Sequence, residues 1–545
     1  MDNIKLADLL FPNLKLTVEE IERRYPKRNL KPGQIVSRYA PSPTGYMHLG
    51  NFFQMFIAYS LCRVSNGIDF LRIEDTDNKR EKKDATAVIY NILERFGIKF
   101  DEYQTLDGVD VGNYGPYVQS QRTDIYKAYA KKLVAEGKAF PCFCKKTTGK
   151  EDVVALRAEK FKVDDEKEYD PCRNLSYEQI EANIAAVKPF AIRLKTQNDG
   201  SQRVKFTDLI KGEIEEKANA KDFVLLKDDG IAPYAFAHAV DDTLMGTTLV
   251  VRGEEYISST PAHLELFDAL GFPHIAYCHN PLICKIGENG NRRKLSKRFD
   301  PEADMRFYFE QGYPIESVLE YLLNIINSGF EAWRVNNPTA PWQDFKFSVN
   351  DITAVAPIFD LVKLNDVSKN VISRMTASEV YEHTLNWAKE FNQPFAAYLE
   401  NNKNYCIKVF NIDRETPKPR KDIYNWSMLE SYFSYMFAAP KTSELDPADA
   451  ANYAEFIRAY ATKFKLAPTK DEWFAGVKQT AQALGYAIDN KEFKANPMAF
   501  KGNTAKACEF IRLALTGHKN SPDLYEIMTI LGDKEVQSRL NALKF

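Results

Sequence analysis

The segment that most constrains the fold of this chain extends from Arg38 to Asn51 and has the sequence RYAPSPTGYMHLGN. Residues 34–37 just before it predict a short buried strand. Apolar residues recur at helical spacing over residues 52–61, and Gly67 is a plausible end for that helix. The turn between strand and helix leaves backbone N–H groups facing outward, where they can bind phosphate. The segment therefore predicts a nucleotide site near His48; an ordinary strand–turn–helix corner with a surface histidine is the alternative.

A second informative segment, RRKLSKR at residues 292–298, follows the glycine-containing loop GENGN at residues 287–291. Five cations on one loop can neutralise a triphosphate whose charge spreads during adenylyl transfer. A basic run considered alone is more often a solvated loop. The functional interpretation therefore depends on the two segments acting together.

In this order the two segments resemble the paired signature motifs of the class I aminoacyl-tRNA synthetases. HLGN at residues 48–51 corresponds to the first motif and KLSKR at residues 294–298 to the second. Asn51 stands where many members have a second histidine, and Arg298 stands where many have a serine. Both departures fit the glutamyl-tRNA synthetases.

The resemblance to glutamyl-tRNA synthetases continues through further blocks in the same order. These are RIEDTD at 72–77, YVQSQR at 117–122, DDG at 228–230, the segment 234–245 and VVRGEE at 250–255. The named motifs cover roughly residues 35–375. The remainder is similar only in length and in its helical pattern.

The resemblance implies an α/β Rossmann-type class I synthetase catalytic domain with an α+β insertion, followed by all-α C-terminal domains. A chain of 545 residues is long enough for several domains. We expect an N-terminal extension (1–34), a catalytic domain (35–120 and 221–298), an inserted domain that binds the tRNA acceptor end (121–220), a helical connector contacting the tRNA stem (299–376) and an all-α anticodon-binding domain (377–545). The absence of β alternation beyond about residue 377 favours the bacterial type, whose anticodon domain is helical.

The composition narrows the class of protein. A hydrophobic fraction of 44% and a charged fraction of 27% are typical of globular proteins. The net charge of −2 does not indicate a nucleic-acid binder, so contact with tRNA must depend on local basic surface. Eight cysteines form no disulfide framework, and no apolar run approaches the ~20 residues of a membrane span. We therefore expect a cytoplasmic protein without membrane contact, and the resemblance implies a monomer.

The resemblance implies ATP and Mg²⁺ as cofactors, and L-glutamate and tRNA-Glu as substrates. The expected catalytic residues are His48, Lys294, Ser296 and Lys297. The expected ATP-binding residues are Ser42, Thr44, Gly45, His48, Gly50, Asn51, Lys294 and Lys297. The expected glutamate-binding residues are Arg38, Ala40, Ser42, Glu74, Tyr234, His238 and Arg252.

The sequence leaves two points about the glutamate site open. Glu74 lies just past a predicted strand, where it is well placed to hold an α-ammonium group, although the acidic run could also cap the next helix. A guanidinium can distinguish a side-chain carboxylate from a carboxamide through charge-assisted hydrogen bonds. Arg38 and Arg252 are both candidates for that role, and sequence does not separate them.

Three cysteines within the predicted insertion suggest a metal site. Cys142 and Cys144 form a C-x-C pair, and Cys172 follows. Together they could hold Zn²⁺ if a fourth ligand exists. Some relatives have a histidine in that place, where this chain has Asn174, and Tyr169 is another candidate. A metal-free knuckle of reduced cysteines is the alternative.

The predicted reaction is activation of L-glutamate by ATP to glutamyl-adenylate, followed by transfer to the 3′ end of tRNA-Glu. The alternatives are a glutaminyl-tRNA synthetase or a catalytically inactive tRNA-binding paralogue. Ser42 and Thr44 argue against the first alternative, because its motif usually has Glu and Asn there. Intact His48, Glu74, Lys294 and Lys297 argue against the second. Whether tRNA-Gln is also charged is left open.

Overall fold

The computed structural model describes residues 2–43, 45–76, 84–144 and 170–542. Thr44 therefore lies outside the described residues, as does Tyr169. The chain divides into two compact units, one of Met1–Phe307 with Leu322–Phe359 and the other of Tyr308–Tyr321 with Asp360–Phe545. The five-part division expected from the sequence stays a prediction.

All strands among the described residues belong to the first unit. They are β1 (Val36–Tyr39), β2 (Ile68–Leu71), β3 (Tyr103–Gln104), β4 (Asp110–Val111), β5 (Ala139–Cys142), β6 (Ala191–Leu194), β7 (Arg203–Asp208), β8 (Gly212–Lys217), β9 (Val224–Leu226), β10 (Leu249–Gly253), β11 (Ala276–Asn280), β12 (Cys284–Ile286) and β13 (Arg292–Lys294).

Strands β1 and β2 form a parallel pair in which Arg38 lies opposite Phe70. The strand predicted at residues 34–37 begins instead at Val36 and continues to Tyr39, with all four residues buried. The predicted strand began and ended two residues too early, because the ladder with β2 starts at Val36 and continues to Tyr39, which pairs with Leu71. Beyond β2 the backbone N–H of Glu74 donates to the carbonyl of Pro41 at 2.9 Å.

A four-stranded sheet has the order β10–β11–β7–β8. Strands β10 and β11 are parallel, and their register places Arg252 opposite His279. The neighbouring β7 pairs with β11 through Asp208 and Tyr277. This register brings together side chains that are far apart in the sequence.

The helices of the first unit follow the apolar periodicity closely. They are α1 (Asn3–Leu10), α2 (Val18–Arg24), α3 (Leu49–Val64), α4 (Ala85–Arg95), α5 (Thr123–Ala135), α6 (Tyr177–Ala185), α7 (Tyr234–Leu244) and α8 (Thr260–Leu270). Helices α9 (Arg306–Gln311) and α10 (Ile315–Ile326) each contain residues of both units, and α11 (Gly329–Asn336) belongs to the first.

The N-terminal segment contributes to the main apolar core of the first unit. Asp2 caps α1, and Thr17 and Glu20 form a capping box on α2. Leu6, Leu10 and Ile21 are buried in the same core as α5, α7 and α8. This packing gives the extension a stabilising role through burial of apolar side chains.

Beyond Asp360 the described residues of the second unit form helices and connecting loops, without a strand. Its helices are α12 (Leu361–Ser373), α13 (Ala377–Phe391), α14 (Gln393–Asn401), α15 (Lys403–Asn411), α16 (Leu429–Tyr432), α17 (Ser434–Phe437), α18 (Ala450–Lys463), α19 (Lys470–Ala483), α20 (Asn490–Ala495), α21 (Thr504–Thr516) and α22 (Leu524–Asn541). Most of their aromatic residues lie in two apolar cores. None of the chain's described helices is long and apolar enough to cross a membrane.

Candidate active site

The HLGN segment forms the N-terminus of α3. His48 is the N-cap, and its Nδ1 accepts a hydrogen bond from the backbone N–H of Gly50 at 2.9 Å. A Cβ added to Gly50 would lie only 3.1 Å from that Nδ1. The glycine therefore keeps the histidine ring close to the helix N-terminus, where positive backbone groups favour an anion.

The structure brings the second basic segment to this helix N-terminus. Lys297 donates through Nζ to the carbonyl of Tyr46. His48 forms an isolated bridge with Asp304, and the backbone N–H of Met305 donates to the carbonyl of Met47 at 3.2 Å. The two motifs that the sequence separates by more than two hundred positions therefore lie side by side.

His48 is uncharged at neutral pH. Burial lowers its pKa to about 4, and the positive charges of Lys297 and Lys294 act in the same direction. A neutral imidazole can still donate or accept a hydrogen bond. The two lysines supply the positive charge of this site.

The cations of residues 292–298 do not all remain available to a ligand. Arg293 makes two hydrogen bonds to Asp300, at 2.5 and 2.6 Å, and this pairing holds the pKa of Asp300 well below its usual range. The backbone N–H of Ser296 donates to the same carboxylate at 3.0 Å. The sequence counted five cations that could contact one triphosphate. Arg293 is paired with Asp300 within the loop, so its charge is already balanced there.

Among the remaining predicted ATP residues, Ser42 and Asn51 are exposed. Gly45 is half-buried, as is Ala40 of the predicted glutamate site. Thr44 lies outside the described residues. Exposed and half-buried positions around a helix N-terminus are accessible to a ligand.

Two consecutive aspartates on α7 organise the buried charges beside this site. Asp242 accepts from Nε of Arg38 at 3.0 Å and from Nη1 of Arg72 at 2.6 Å. Asp241 accepts from Nε of Arg122 at 2.7 Å. Sequence reasoning assigned no role to these aspartates, to Arg72 or to Arg122. The available signal in the sequence was a pair of adjacent aspartates on a helix with apolar neighbours, because acidic side chains are rarely buried unless they are paired.

Glu74 lies in the same network with only 9% of its surface exposed. Nη2 of Arg72 donates to its Oε1 at 3.1 Å. Burial raises the pKa of Glu74 to about 6, although Arg72 and Arg38 lower it. Glu74 is therefore a carboxylate at neutral pH and titrates close to the physiological range.

Tyr234 and His238 lie one helical turn apart on α7. Their rings stack at 5.5 Å with an interplanar angle of 7°. His238 is fully buried, and its Nδ1 lies 2.6 Å from Oδ2 of Asp242. Burial lowers the pKa of His238 to about 4 despite that aspartate. This neutral histidine therefore lies against the aspartate that holds Arg38.

Arg252 is the last residue but one of strand β10 and has 4% of its surface exposed. Its Nε donates to Nε2 of His279 at 2.9 Å, and its Nη2 donates to Oγ1 of Thr260 at 2.8 Å. Its Nη1 lies 2.9 Å from Nδ1 of His263. Thr260 is the first residue of α8, and Ser259 precedes it as the N-cap.

The three cysteines singled out in the sequence lie together with an aspartate. One ligand atom from each of Cys142, Cys144, Asp170 and Cys172 lies within 4.8 Å of the other three. Sγ of Cys142 is 2.8 Å from Oδ2 of Asp170, and Sγ of Cys144 is 3.6 Å from Sγ of Cys172. Three thiols and one carboxylate fit the ligand preferences of Zn²⁺. Asp170 was missed as a fourth ligand because the spacing directed attention to Asn174.

Comparisons with known proteins identify the family of this chain. Residues 34–332 match the family described as tRNA synthetases class I (E and Q), catalytic domain, and residues 498–544 match the anticodon binding domain family. The chain is 43% identical to a glutamate–tRNA ligase of Clostridium perfringens strain 13, covering 98% of this chain and 99% of the relative. It is 41% identical to the glutamate–tRNA ligase of Acetivibrio thermocellus over 100% of both chains.

A solved structure supports the fold. It is a glutamate tRNA ligase from Elizabethkingia meningosepticum in complex with its amino acid, with a TM-score of 0.71 and 24% identity. The match covers 93% of this chain and 98% of that one. With both family models and full-length relatives in agreement, the chain belongs to the class I tRNA synthetases (E and Q) and, among them, to the glutamate–tRNA ligases.

Proposed function

We propose that the paired motifs form the ATP site of this glutamate–tRNA ligase and that the adjoining buried charges form its glutamate site. The observation that carries the proposal is the Lys297–Tyr46 contact, which joins the basic loop to the N-terminus of α3. ATP and Mg²⁺ would occupy this region. Mg²⁺ supplies positive charge to the phosphates, and the residues of the chain position them.

In the first step an oxygen of the glutamate α-carboxylate attacks the α-phosphorus of ATP. The new C–O–P linkage forms as the bond to the β-phosphate oxygen breaks, so that pyrophosphate leaves with the bonding electrons. No side-chain nucleophile is needed, and catalysis depends on positioning and charge stabilisation. Lys294 and Lys297 would meet the charge that develops on pyrophosphate, and His48, Gly50 and Ser296 would hold the phosphates from the two motifs.

In the second step a hydroxyl of the terminal adenosine of tRNA-Glu attacks the carbonyl carbon of the adenylate, and AMP leaves. The match to a class I tRNA synthetase catalytic domain and the match to an anticodon binding domain are both consistent with a tRNA substrate. Whether tRNA-Gln is charged as well depends on anticodon contacts. Charging purified tRNA-Glu and tRNA-Gln side by side decides between one substrate and two.

Glutamate would bind among Arg38, Ala40, Glu74, Tyr234 and Arg252, with His238 behind Arg38. Glu74 suits the α-ammonium group because it is a buried carboxylate at neutral pH. Arg252 suits a carboxylate, because each of its hydrogen-bonding neighbours is uncharged. Ser42 is exposed, and it is expected to contact both ATP and glutamate.

The test of this map is a pair of variants, Arg38→Gln and Arg252→Gln, assayed with glutamate and with glutamine. Loss of a buried guanidinium–carboxylate contact costs about 2–5 kcal/mol. We therefore expect that replacing the arginine that contacts the side chain of glutamate lowers the preference for glutamate over glutamine at least about thirtyfold. Thermal unfolding checks that each variant is folded. An unchanged glutamate-to-glutamine ratio in both variants contradicts the pocket map.

We also propose that Cys142, Cys144, Asp170 and Cys172 bind Zn²⁺. The donor set supports this proposal, since thiolates and a carboxylate are ordinary zinc ligands. Bound zinc would tie β5 to the segment around Asp170 and thereby stabilise the fold locally. The resemblance further supports a monomer that works in the cytoplasm, and light scattering of the purified chain tests the monomer.

A further inference from the structure

Arg252 differs from the other buried arginines of the first unit in the charge of its neighbours. Arg38, Arg72 and Arg122 each contact at least one aspartate. Arg252 has no carboxylate within ion-pair distance among the residues that the structure describes. Since a buried unpaired cation is costly, a site built this way favours an anionic ligand.

The acceptors around Arg252 are themselves held by second hydrogen bonds. Nδ1 of His279 donates to Oδ2 of Asp208 at 2.7 Å, which leaves the lone pair of Nε2 facing Nε of Arg252. The hydroxyl of Thr260 donates to the carbonyl of Tyr256 at 3.0 Å and so accepts from Arg252 on its remaining side. The orientation of the guanidinium is therefore fixed by neutral groups with defined tautomer and rotamer.

The negative charge of Asp208 is satisfied without contact with Arg252. Its Oδ2 accepts from the backbone N–H of His279 at 2.9 Å, and its Oδ1 accepts from the N–H groups of Ile210 and Lys211, both at 2.9 Å. Burial lowers the pKa of His279, as does Arg252, and the same causes hold the pKa of His263 well below its usual range. Both histidines are therefore uncharged at neutral pH.

We infer that His279, His263 and Thr260 are positioning residues for Arg252, holding its guanidinium through neutral acceptors so that its charge remains for a carboxylate of the substrate. Asp208 acts one step further away by fixing the tautomer of His279. The inference rests on the proposed binding of a glutamate carboxylate by Arg252. It adds that affinity depends on the neutrality of the supporting residues as well as on the arginine.

A pair of variants of similar shape and different charge tests this inference. In His279→Gln the amide can supply a neutral acceptor near the position of Nε2, whereas His279→Glu supplies a carboxylate that neutralises Arg252. In full-length chain assayed with ATP and tRNA-Glu at about pH 8, we expect the KM for glutamate in His279→Glu to exceed that in His279→Gln about thirtyfold or more. The KM for ATP should change little in either variant. Equal glutamate KM values in two folded variants overturn the inference.

A second pair keeps the test decisive if the His279 variants do not fold. Thr260→Val removes the acceptor while keeping the shape, and Thr260→Ser keeps the hydroxyl. We expect Thr260→Val to raise the KM for glutamate about fivefold or more through loss of a charge-assisted hydrogen bond, and Thr260→Ser to restore it. Equal KM values for glutamate in Thr260→Val and Thr260→Ser overturn the inference.

The Arg252→Gln variant separates failure of the inference from failure of the proposed function. If its KM for glutamate is unchanged, Arg252 does not bind the substrate and the pocket map is wrong. If that KM rises while the two His279 variants behave alike, the pocket map stands and the role of the neutral supporting residues is wrong.

Discussion

At the scale of single residues, the pKa of Glu74 links the geometry of the pocket to a measurable pH dependence. Burial raises this pKa to about 6. Only the carboxylate form can pair with an α-ammonium group, which stays protonated throughout the neutral range. Substrate affinity should therefore be complete above this pKa and be lost as the pH falls through it.

We predict that kcat/KM for glutamate falls about tenfold per pH unit below about pH 6, measured between about pH 5 and pH 8. Glu74→Gln should weaken binding at every pH and remove the inflection. A wild-type inflection that persists unchanged in Glu74→Gln would assign the titration to another group.

Lys297 is a second single residue with an effect that can be measured, because its ammonium group is expected to stabilise the charge on the departing pyrophosphate. We predict that Lys297→Ala lowers ATP–pyrophosphate exchange at least about a hundredfold, as removal of a preorganised donor does elsewhere, while glutamate binding barely changes. The assay includes tRNA. The exposed Lys31 provides a control, and Lys31→Ala should exchange like the wild type. Near-normal exchange in Lys297→Ala would remove this lysine from the mechanism.

At the scale of elements, the cysteine cluster joins β5 to the short segment that follows Asp170. Four potential ligand atoms lie within 4.8 Å of one another and could hold a zinc ion. The metal would therefore stabilise the local structure of the predicted insertion and would take no part in adenylate formation.

We predict about one zinc per chain in protein purified without chelator, and a large loss of zinc in Cys172→Ser and Asp170→Ala, measured by elemental analysis. Cys508→Ser, which changes a cysteine of the helical second unit, should retain the metal. A wild-type chain that takes up no zinc when zinc is supplied would support the metal-free knuckle instead.

The segment at residues 416–421, TPKPRK, carries three basic side chains between α15 and α16. One of them, Arg420, lies 4.7 Å from the ring centroid of Phe433, and its Nε is 3.4 Å from Asp422. Part of this positive charge is therefore used within the second unit and is not available to tRNA.

At the scale of the whole molecule, the net charge of −2 limits how tRNA can be bound. A chain without overall positive charge must present local basic surface to the phosphate backbone. Such contacts weaken with salt, because binding releases counterions. Substrates held in buried pockets are screened much less.

We predict that the KM for tRNA-Glu rises at least about tenfold between about 50 mM and 200 mM salt, whereas the KM for glutamate changes less than about twofold. Steady-state charging at several salt concentrations measures both constants. A salt-independent KM for tRNA would mean that phosphate contacts contribute little to recognition.

The amino-acid sequence by itself determined the order of the elements and the position of the two motifs. Helix α3 is encoded locally by its apolar periodicity, so its bounds were predictable to within a few positions. The all-helical character of residues beyond 377 followed from the same local signals. The Rossmann-type fold and the family followed from motif resemblance and are confirmed by the comparisons.

Only the tertiary structure decided which charges meet. Asp242 on α7 contacts Arg38 on β1, and the parallel register of β10 with β11 brings His279 to Arg252. No local pattern encodes such pairs, because their partners are separated by long stretches of chain and are joined by sheet register and burial. The charge left available to a substrate is thus a property of the folded pocket, whereas the residues able to carry it are a property of the sequence.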